Sequence, residues 1–174
     1  CDEYKFGNMK KFSNRIDYRL CAGIMLFSRI GKVWAGQRID SANAWQMPQG
    51  GINKNEEPIA AAIRELQEEI GTDKVRLLSE SKEWLTYDLP AEIAGQIWGG
   101  RYKGQKQKWF AFLFLGEDWE IDVHKVDEPE FQSWKWIDVS ELVGLAIEFK
   151  RPVYEAVVSE FNKLSQSLAS GDNI

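Results

Sequence analysis

Five glutamates lie close together in residues 46–73, which read QMPQGGINKNEEPIAAAIRELQEEIGTD. At about 100° per residue, Glu65, Glu68 and Glu69 fall on one face of a helix. Like charges at this spacing repel one another, so the cluster does not stabilise an isolated helix. Hard carboxylate oxygens at this density, with no histidine or cysteine among them, suit magnesium or manganese. Taken alone, the pattern is more typical of a solvated acidic face without a function than of a metal site.

The same stretch predicts a helix between Pro58 and Gly71. Proline suits the first turn, glycine suits the C-terminal end, and the residues between them are good helix formers. Arg64 can reach Glu68 and the glutamates that precede the helix, but one guanidinium cannot neutralise five carboxylates. The expected buried face consists of Ile59, Ala62, Ile63, Leu66 and Ile70.

Composition and charge favour one domain. With 174 residues and 44% hydrophobic side chains, the chain can bury a sizeable core, and no shift in composition marks a second domain. We expect a single domain over 1–174, with about 1–16 as an N-terminal extension and about 169–174 as a flexible tail. No apolar run approaches the roughly 20 residues of a membrane span, which predicts a cytoplasmic protein without a membrane partner. The net charge of −5 argues against wholesale adsorption to nucleic acid but allows a local basic groove.

Cysteine and histidine are too scarce to hold a metal. Cys1 and Cys21 are the only cysteines, and His124 is the only histidine, so a bound metal needs oxygen ligands. Cys21 stands in an apolar run and is expected in the core. Trp134 and Trp136 alternate with a lysine on a predicted strand and are also expected in the core rather than at a base-binding surface.

The remaining pattern predicts alternating strands and helices. Pro152 marks the start of a C-terminal helix whose buried stripe is Val153, Val157, Phe161 and Leu164. Asp138 and Glu141 have the spacing of a capping box. Residues 90–107 are polar and contain glycines, which predicts a long functional loop. Strands are expected at 20–28, 32–39, 75–80, 83–89, 108–116 and 131–138.

The acidic segment resembles the Nudix box. Its order is Gly50, five residues, Glu56, seven residues, Arg-Glu-Leu, one residue, Glu-Glu, one residue and Gly71. Only the last position departs from the pattern, since Thr72 stands where an apolar residue is usual. The stretches YRLCAGIMLF, AWQMPQGGI, WLTYDLP, GQKQKWF, EPEFQSWKWI and FKRPVY are similar to the branch of that family containing RNA pyrophosphohydrolases and diadenosine tetraphosphate hydrolases.

This resemblance implies an α/β fold, the Nudix-type α/β/α sandwich with a mixed β-sheet. It also implies that Arg64 and Glu56 orient the metal-binding carboxylates from behind. Glu130 would be a metal ligand or the general base, whereas its alternative is an acid in a turn after Pro129. The implied ligands of Mg²⁺ or Mn²⁺ are Glu65, Glu68, Glu69, Glu130 and a backbone carbonyl near Gln49 or Gly50.

Substrate contacts follow from the same resemblance. Flat surfaces for a base would come from Tyr87 and Phe149. Alternatively, Tyr87 is a half-buried strand residue, and Lys106 and Lys108 only solubilise a loop. The polar groups expected to contact the substrate are Arg19, Arg38, Gln49, Lys106, Lys108, Lys150 and Arg151.

The function implied is magnesium-dependent hydrolysis within a polyphosphate chain attached to a nucleoside. The first substrate is RNA with a 5′-triphosphate, converted to a 5′-monophosphate as in mRNA decay. The alternative is diadenosine tetraphosphate, and a third reading is a nucleotide- or RNA-binding module without turnover. The expected partner is therefore an RNA 5′ end or a dinucleoside polyphosphate, not DNA, and a monomer is favoured.

Overall fold

A mixed β-sheet forms the centre of the protein. The computed structural model describes residues 17–174, so the predicted N-terminal extension lies outside the described residues. The strands are β1 (Asp17–Phe27), β2 (Val33–Arg38), β3 (Trp45–Gln46), β4 (Gln49–Gly51), β5 (Val75–Glu80), β6 (Leu85–Asp88), β7 (Tyr102–Phe114) and β8 (Phe131–Ile137). The sheet order is β3-β2-β1-β7-β5, while β4 pairs with β1, β6 with β7 and β8 with β2.

The parallel pair β1 and β7 is the axis of the sheet. Its register runs without interruption from Tyr18 beside Gly104 to Phe27 beside Leu113. Because side chains alternate across a strand, Ile24 packs in one hydrophobic layer and Met25 in the other. The α-helices of the described residues are α1 (Pro58–Ile70), α2 (Ala91–Ala94), α3 (Leu142–Leu145) and α4 (Arg151–Ala169). Helix α1 covers the first layer and α4 covers the second. The predicted α/β/α sandwich with a mixed sheet is confirmed.

Helix α1 begins and ends where the sequence predicts. Pro58 occupies its first turn, and Gly71 ends it in the left-handed conformation with φ of 80°. Its buried face is rotated from the prediction, however. Ile63 is 36% exposed, whereas Glu69 is only 4% exposed. The packed arc runs through Leu66 to Glu69, whose Oε2 accepts a hydrogen bond from the Gln49 backbone N–H in β4.

Helix α4 buries Val153, Val157 and Phe161 as predicted, and Leu164 is partly buried against the same core. Beyond the helix, Ile174 packs against this core as well. That the whole chain forms one domain with an extension and a tail stays a prediction. None of the helices within residues 17–174 is long and apolar enough to cross a membrane.

Two local predictions are wrong. Residues 90–107 are not one loop, because strand β7 already begins at Tyr102 and the short helix α2 (Ala91–Ala94) precedes it. The start of β7 was not predicted as a strand because its side chains are mostly polar and show no alternation of apolar residues. The capping box at Asp138 is absent, since its side chain makes no capping hydrogen bond. A capping box is instead formed by Glu117 and Glu120.

Three residues outside the helices were also predicted to lie in the core, Cys21 in β1 and Trp134 and Trp136 in β8. Cys21 is fully buried, and burial raises the pKa of its thiol to about 12. Trp134 and Trp136 are partly buried and pack against the layer that contains α1. Trp134 stacks on the buried Trp34 with ring centroids 6.2 Å apart. These three residues are therefore structural.

Candidate active site

A cleft of about 570 Å³ opens where β4, helix α1 and the segment before α4 meet. A second cleft of about 560 Å³ adjoins it and shares five glutamates with the first, Glu65, Glu68, Glu69, Glu128 and Glu130. Of the residues singled out in the sequence, those that line the first cleft are Arg19, Arg38, Gln49, Gly50, Glu65, Glu68, Glu69, Tyr87, Glu130, Phe149 and Lys150. The acidic helix and the distant segments therefore face one space.

Strand β4 positions the acidic helix by means of a glycine. A Cβ atom on Gly50 would lie 1.9 Å from the carboxyl carbon of Glu65 and 2.2 Å from both of its oxygens. Only glycine lets the helix carboxylate rest against the strand at this distance. The motif thus sets the position of Glu65 relative to the backbone of Gln49 and Gly50.

Arg64 connects the glutamates to the loop before the helix. Its Nε and Nη2 donate to the two carboxylate oxygens of Glu56, both at 2.9 Å, and Nη2 also donates to the Gly51 carbonyl at 2.7 Å. Its Nη1 donates to Glu65 Oε1 at 2.8 Å and to Glu68 Oε2 at 3.2 Å. This pairing lowers the pKa of Glu56 to about 2. Arg64 is therefore held by Glu56 and in turn binds two carboxylates of the helix, those of Glu65 and Glu68.

Glu69 is the most deeply buried of the acidic group. Its Oε2 accepts a hydrogen bond from the Gln49 backbone N–H at 3.3 Å. Burial raises its pKa well above the ordinary value, and the nearby charges of Glu130 and Glu65 raise it further. Burial likewise raises the pKa of Glu65. A buried carboxylate surrounded by carboxylates is costly unless a cation accompanies it.

The donor set suits a hard divalent cation. Carboxylate and carbonyl oxygens are the ligands such ions prefer, and Glu65, Glu69 and Glu130 are close enough for their charges to affect one another. Across residues 17–174, no three His, Cys, Asp or Glu side chains stand close enough together to hold a metal ion as they are placed. In this arrangement Arg64 binds both Glu65 and Glu68.

Two positively charged side chains, Arg38 and Lys150, lie in another part of the same cleft. The amide oxygen of Gln46 accepts hydrogen bonds from Arg38 Nη1 at 2.9 Å and from Lys150 Nζ at 3.0 Å. Asp40 binds the other side of Arg38, with a distance of 2.7 Å from Nε to Oδ1. Lys150 is only 5% exposed, and burial, followed by the charge of Arg38, lowers its pKa to about 8. The free protein thus holds two neighbouring cations in a partly desolvated site.

Two aromatic rings lie next to these cations. The rings of Tyr87 and Phe149 are 5.6 Å apart at an angle of 38°, and Lys150 Nζ lies 6.0 Å from the centre of the Tyr87 ring. The Tyr87 hydroxyl is hydrogen-bonded to the side-chain amide of Gln105, and burial raises its pKa to about 12. The sequence assigned both rings to one site, and the structure brings them together.

Lys106 and Lys108 do not line the cleft. They alternate with Gln105 and Gln107 on β7, so the glutamines lie on one face of the sheet and the lysines on the other. Lys106 is exposed, and its Nζ lies 5.8 Å from the ring centre of Trp84. Arg151 also lies outside the lining, where it donates to backbone carbonyls that precede α4.

The glutamines are the site residues that the sequence interpretation missed. Gln105 accepts from Arg19 Nη1 at 3.1 Å, and Gln107 donates to the side-chain oxygen of Gln49 at 3.1 Å. Gln46 links Arg38 to Lys150. Recognising GQKQKWF as a strand would have revealed the two glutamines on β7, because a period of two separates them from the lysines.

The α/β/α sandwich places an acid-lined cleft at one end of a mixed β-sheet, an arrangement suited to metal-dependent hydrolysis. The NUDIX domain family matches residues 17–157, and the chain belongs to this family. Nudix hydrolases generally use divalent metal ions, in agreement with the oxygen-rich donor set.

Relatives of known name cover most of the chain. The RNA pyrophosphohydrolase of Rhodospirillum rubrum is 54% identical over 145 residues, which are 83% of this chain and 87% of that protein. The RNA pyrophosphohydrolase of Cereibacter sphaeroides is 50% identical over 149 residues, 84% of this chain and 91% of that protein. Among solved structures, the C. elegans Ap4A hydrolase binary complex has a TM-score of 0.62 at 18% identity and covers 83% of this chain and 98% of that one. The last comparison shows the fold alone.

Proposed function

We propose that the protein is an RNA 5′-pyrophosphohydrolase that converts a 5′-triphosphate end to a 5′-monophosphate. The observation that carries this proposal is the cleft, which brings an acidic helix, the buried Lys150, the partly buried Arg38 and a pair of aromatic rings against one space. The RNA pyrophosphohydrolases that are about half identical over most of both chains support the choice of RNA. With this substrate, the enzyme acts in the cytoplasm in mRNA decay.

A triphosphate carries several negative charges that repel a nucleophile, so the site has to neutralise them. Glu65, Glu68, Glu69 and Glu130 would hold Mg²⁺ or Mn²⁺ together with a backbone carbonyl of Gln49 or Gly50. When bound, the cation supplies charge neutralisation and lowers the pKa of an attacking water. Arg64, which is itself held by Glu56, would orient Glu65 and Glu68. Glu130 is either a further ligand or the base that takes the proton from water.

The opposite part of the cleft would hold the nucleotide. Lys150 and Arg38 offer fixed donors to the phosphate chain, because Gln46 and Asp40 restrain them. Tyr87 and Phe149 offer ring surfaces for the first base. The phosphates that are cleaved would then extend from Lys150 and Arg38 towards the carboxylates of the acidic helix.

The test is a pair of assays with triphosphorylated RNA and diadenosine tetraphosphate, each with Mg²⁺, with Mn²⁺ and with a chelator. We expect turnover of both substrates to require a cation, and kcat/KM to be higher for RNA. RNA turnover should also fall more steeply with salt, since phosphate contacts dominate nucleic-acid affinity. Equal salt slopes together with faster turnover of the dinucleotide would replace the RNA assignment with the alternative.

Hydrolysis of diadenosine tetraphosphate is the second candidate, because Trp98 adds an aromatic surface to a cleft that already contains the Tyr87 and Phe149 pair. Such a substrate ends in two bases, and each needs a flat surface. A binding module without turnover is disfavoured, since it has no need of the four carboxylates Glu65, Glu68, Glu69 and Glu130 in the lining of one cleft.

A further inference from the structure

Gln107 lies on β7 behind the cleft, and both ends of its side-chain amide are hydrogen-bonded. The residue is only 1% exposed. Its side-chain oxygen accepts a hydrogen bond from the Trp109 indole N–H at 3.1 Å, and its nitrogen donates to the side-chain oxygen of Gln49 at 3.1 Å and to Cys21 Sγ at 3.3 Å. Burying an amide is costly unless it is paired in this way. Gln107 thus connects a core tryptophan to a residue that lines the cleft.

Trp109 is the fixed start of this chain of hydrogen bonds. Its ring is fully buried and meets the ring of Tyr154 edge-on, with centroids 5.8 Å apart. A Cβ on Gly23 would lie 2.5 Å from the indole, so the ring rests directly against the backbone of β1. An indole N–H donates hydrogen bonds and cannot accept them. The atom of Gln107 that faces the indole must therefore be the oxygen.

The orientation of Gln107 determines the orientation of Gln49. A reversed Gln107 amide would place its NH₂ group against the indole N–H, where two donors would face each other. In the observed orientation Gln107 donates to Gln49, so the oxygen of Gln49 is turned inwards and its NH₂ group is turned away from the core. Burial raises the pKa of Tyr87, and hydrogen bonding from Gln105 and Gln49 opposes this rise. The donor end of Gln49 therefore lies on the cleft side, next to Tyr87.

We infer that Trp109 and Gln107 are positioning residues, which orient the Gln49 amide so that its N–H groups donate to the phosphate chain of the substrate. This inference rests on the proposed function, which puts a polyphosphate in the cleft. Ionised phosphate oxygens accept hydrogen bonds, and donors to them form strong, charge-assisted bonds. A Gln49 amide that rotated freely would also turn its oxygen towards the phosphates and repel them. The bond from Gln107 removes that alternative.

The test is a double-mutant cycle on Gln107 and Gln49. Methionine has a similar shape to glutamine but no donor, so Gln107→Met releases Gln49, and Gln49→Met removes the donor itself. We expect each single variant to raise KM for 5′-triphosphorylated RNA at least about tenfold, as for a lost hydrogen bond to a charged group, with kcat kept within about threefold. Adding Gln107→Met to Gln49→Met should change KM less than about twofold, since no amide is left to orient.

The melting temperature measures the structural cost separately. Both proteins that carry Gln107→Met should melt lower, because the Trp109 indole loses its acceptor. Gln166→Met is the control, since Gln166 is exposed on α4 and lies outside the lining of the cleft; it should change neither KM nor the melting temperature. An equal rise in KM on adding Gln107→Met to wild type and to Gln49→Met would show that Gln107 supports only the fold. That result would overturn the inference, as would an unchanged KM in Gln107→Met alone.

The inference and the proposed function fail in different ways. Absence of turnover of triphosphorylated RNA by the wild type would refute the function. The same cycle is then measured as the Kd of inorganic triphosphate in Mg²⁺ by isothermal titration calorimetry, because this probe carries phosphate oxygens without a base or ribose. A loss of affinity in each single variant that does not deepen in the double variant would support the inference. Additive losses, or no binding of inorganic triphosphate by the wild type, would overturn it.

Discussion

Replacing Gly50 with alanine is expected to abolish most of the activity while leaving the fold intact. The added methyl group would lie 1.9 Å from the carboxyl carbon of Glu65, whereas ordinary contact begins at 3.4 Å. The carboxylate must therefore move by about 1.5 Å. Because it is the far end of a flexible side chain, this movement costs the fold little.

The cost to catalysis is much larger. A misplacement of about 1 Å can lower the rate of an enzyme by about 100-fold, so we expect kcat/KM of Gly50→Ala to fall at least that far, about 2.7 kcal/mol in barrier. The assay measures formation of 5′-monophosphate RNA from triphosphorylated RNA in Mg²⁺, with a melting curve for each protein. Gly144→Ala is the matched control, since a Cβ at that position meets nothing within 4 Å. A Gly50→Ala enzyme within about tenfold of wild type would show that catalysis does not need Glu65 at this position.

Three further predictions concern the two parts of the cleft. Glu69→Gln should melt no lower than wild type without metal, because it removes a buried charge that Glu130 and Glu65 oppose. A divalent cation at about 100 times its Kd should raise the melting temperature of wild type by about 5–10 °C but should not raise that of Glu69→Gln. An equal rise in the melting temperatures of both proteins would remove Glu69 from the metal site. Phe149→Ala should raise KM for RNA and for diadenosine tetraphosphate, and unchanged values in a folded variant would exclude stacking on Phe149. Since the pKa of Lys150 is lowered to about 8, its positive form is lost as pH rises through 8. Wild-type kcat/KM should fall there, whereas Lys150→Arg, which stays charged, should lack this limb in a profile from pH 7 to 9.5.

The sequence predicted the parts of the site that depend on local spacing. The bounds of helix α1 follow from Pro58 and Gly71, and the convergence of Glu65 and Glu69 follows from helical geometry. The spacing could not show that Glu69 is buried rather than Ile63, because that depends on how the helix rests on β4. Only contacts between distant segments decide this rotation.

The nucleotide part of the cleft was predicted less completely. Charged and aromatic residues attracted attention, and Arg38, Lys150 and Phe149 do line the cleft. Neutral amides carry no comparable signal, so Gln46 and Gln105 were missed although each bonds to a cation of the site. Their partners lie on other strands, and hydrogen bonds of this kind leave no periodic mark in the sequence.

The electrostatics of the free protein show why the two parts of the cleft belong to one function. Glu69 is buried near other carboxylates, and Lys150 is buried near Arg38, so each region carries like charges that raise the energy of the unliganded fold. A divalent cation relieves the first repulsion, and a polyphosphate relieves the second. A polyphosphate also binds the cation, so one ligand pair neutralises both regions at once. Local violations of good packing and pairing are expected at functional sites, and here both violations face the same cleft.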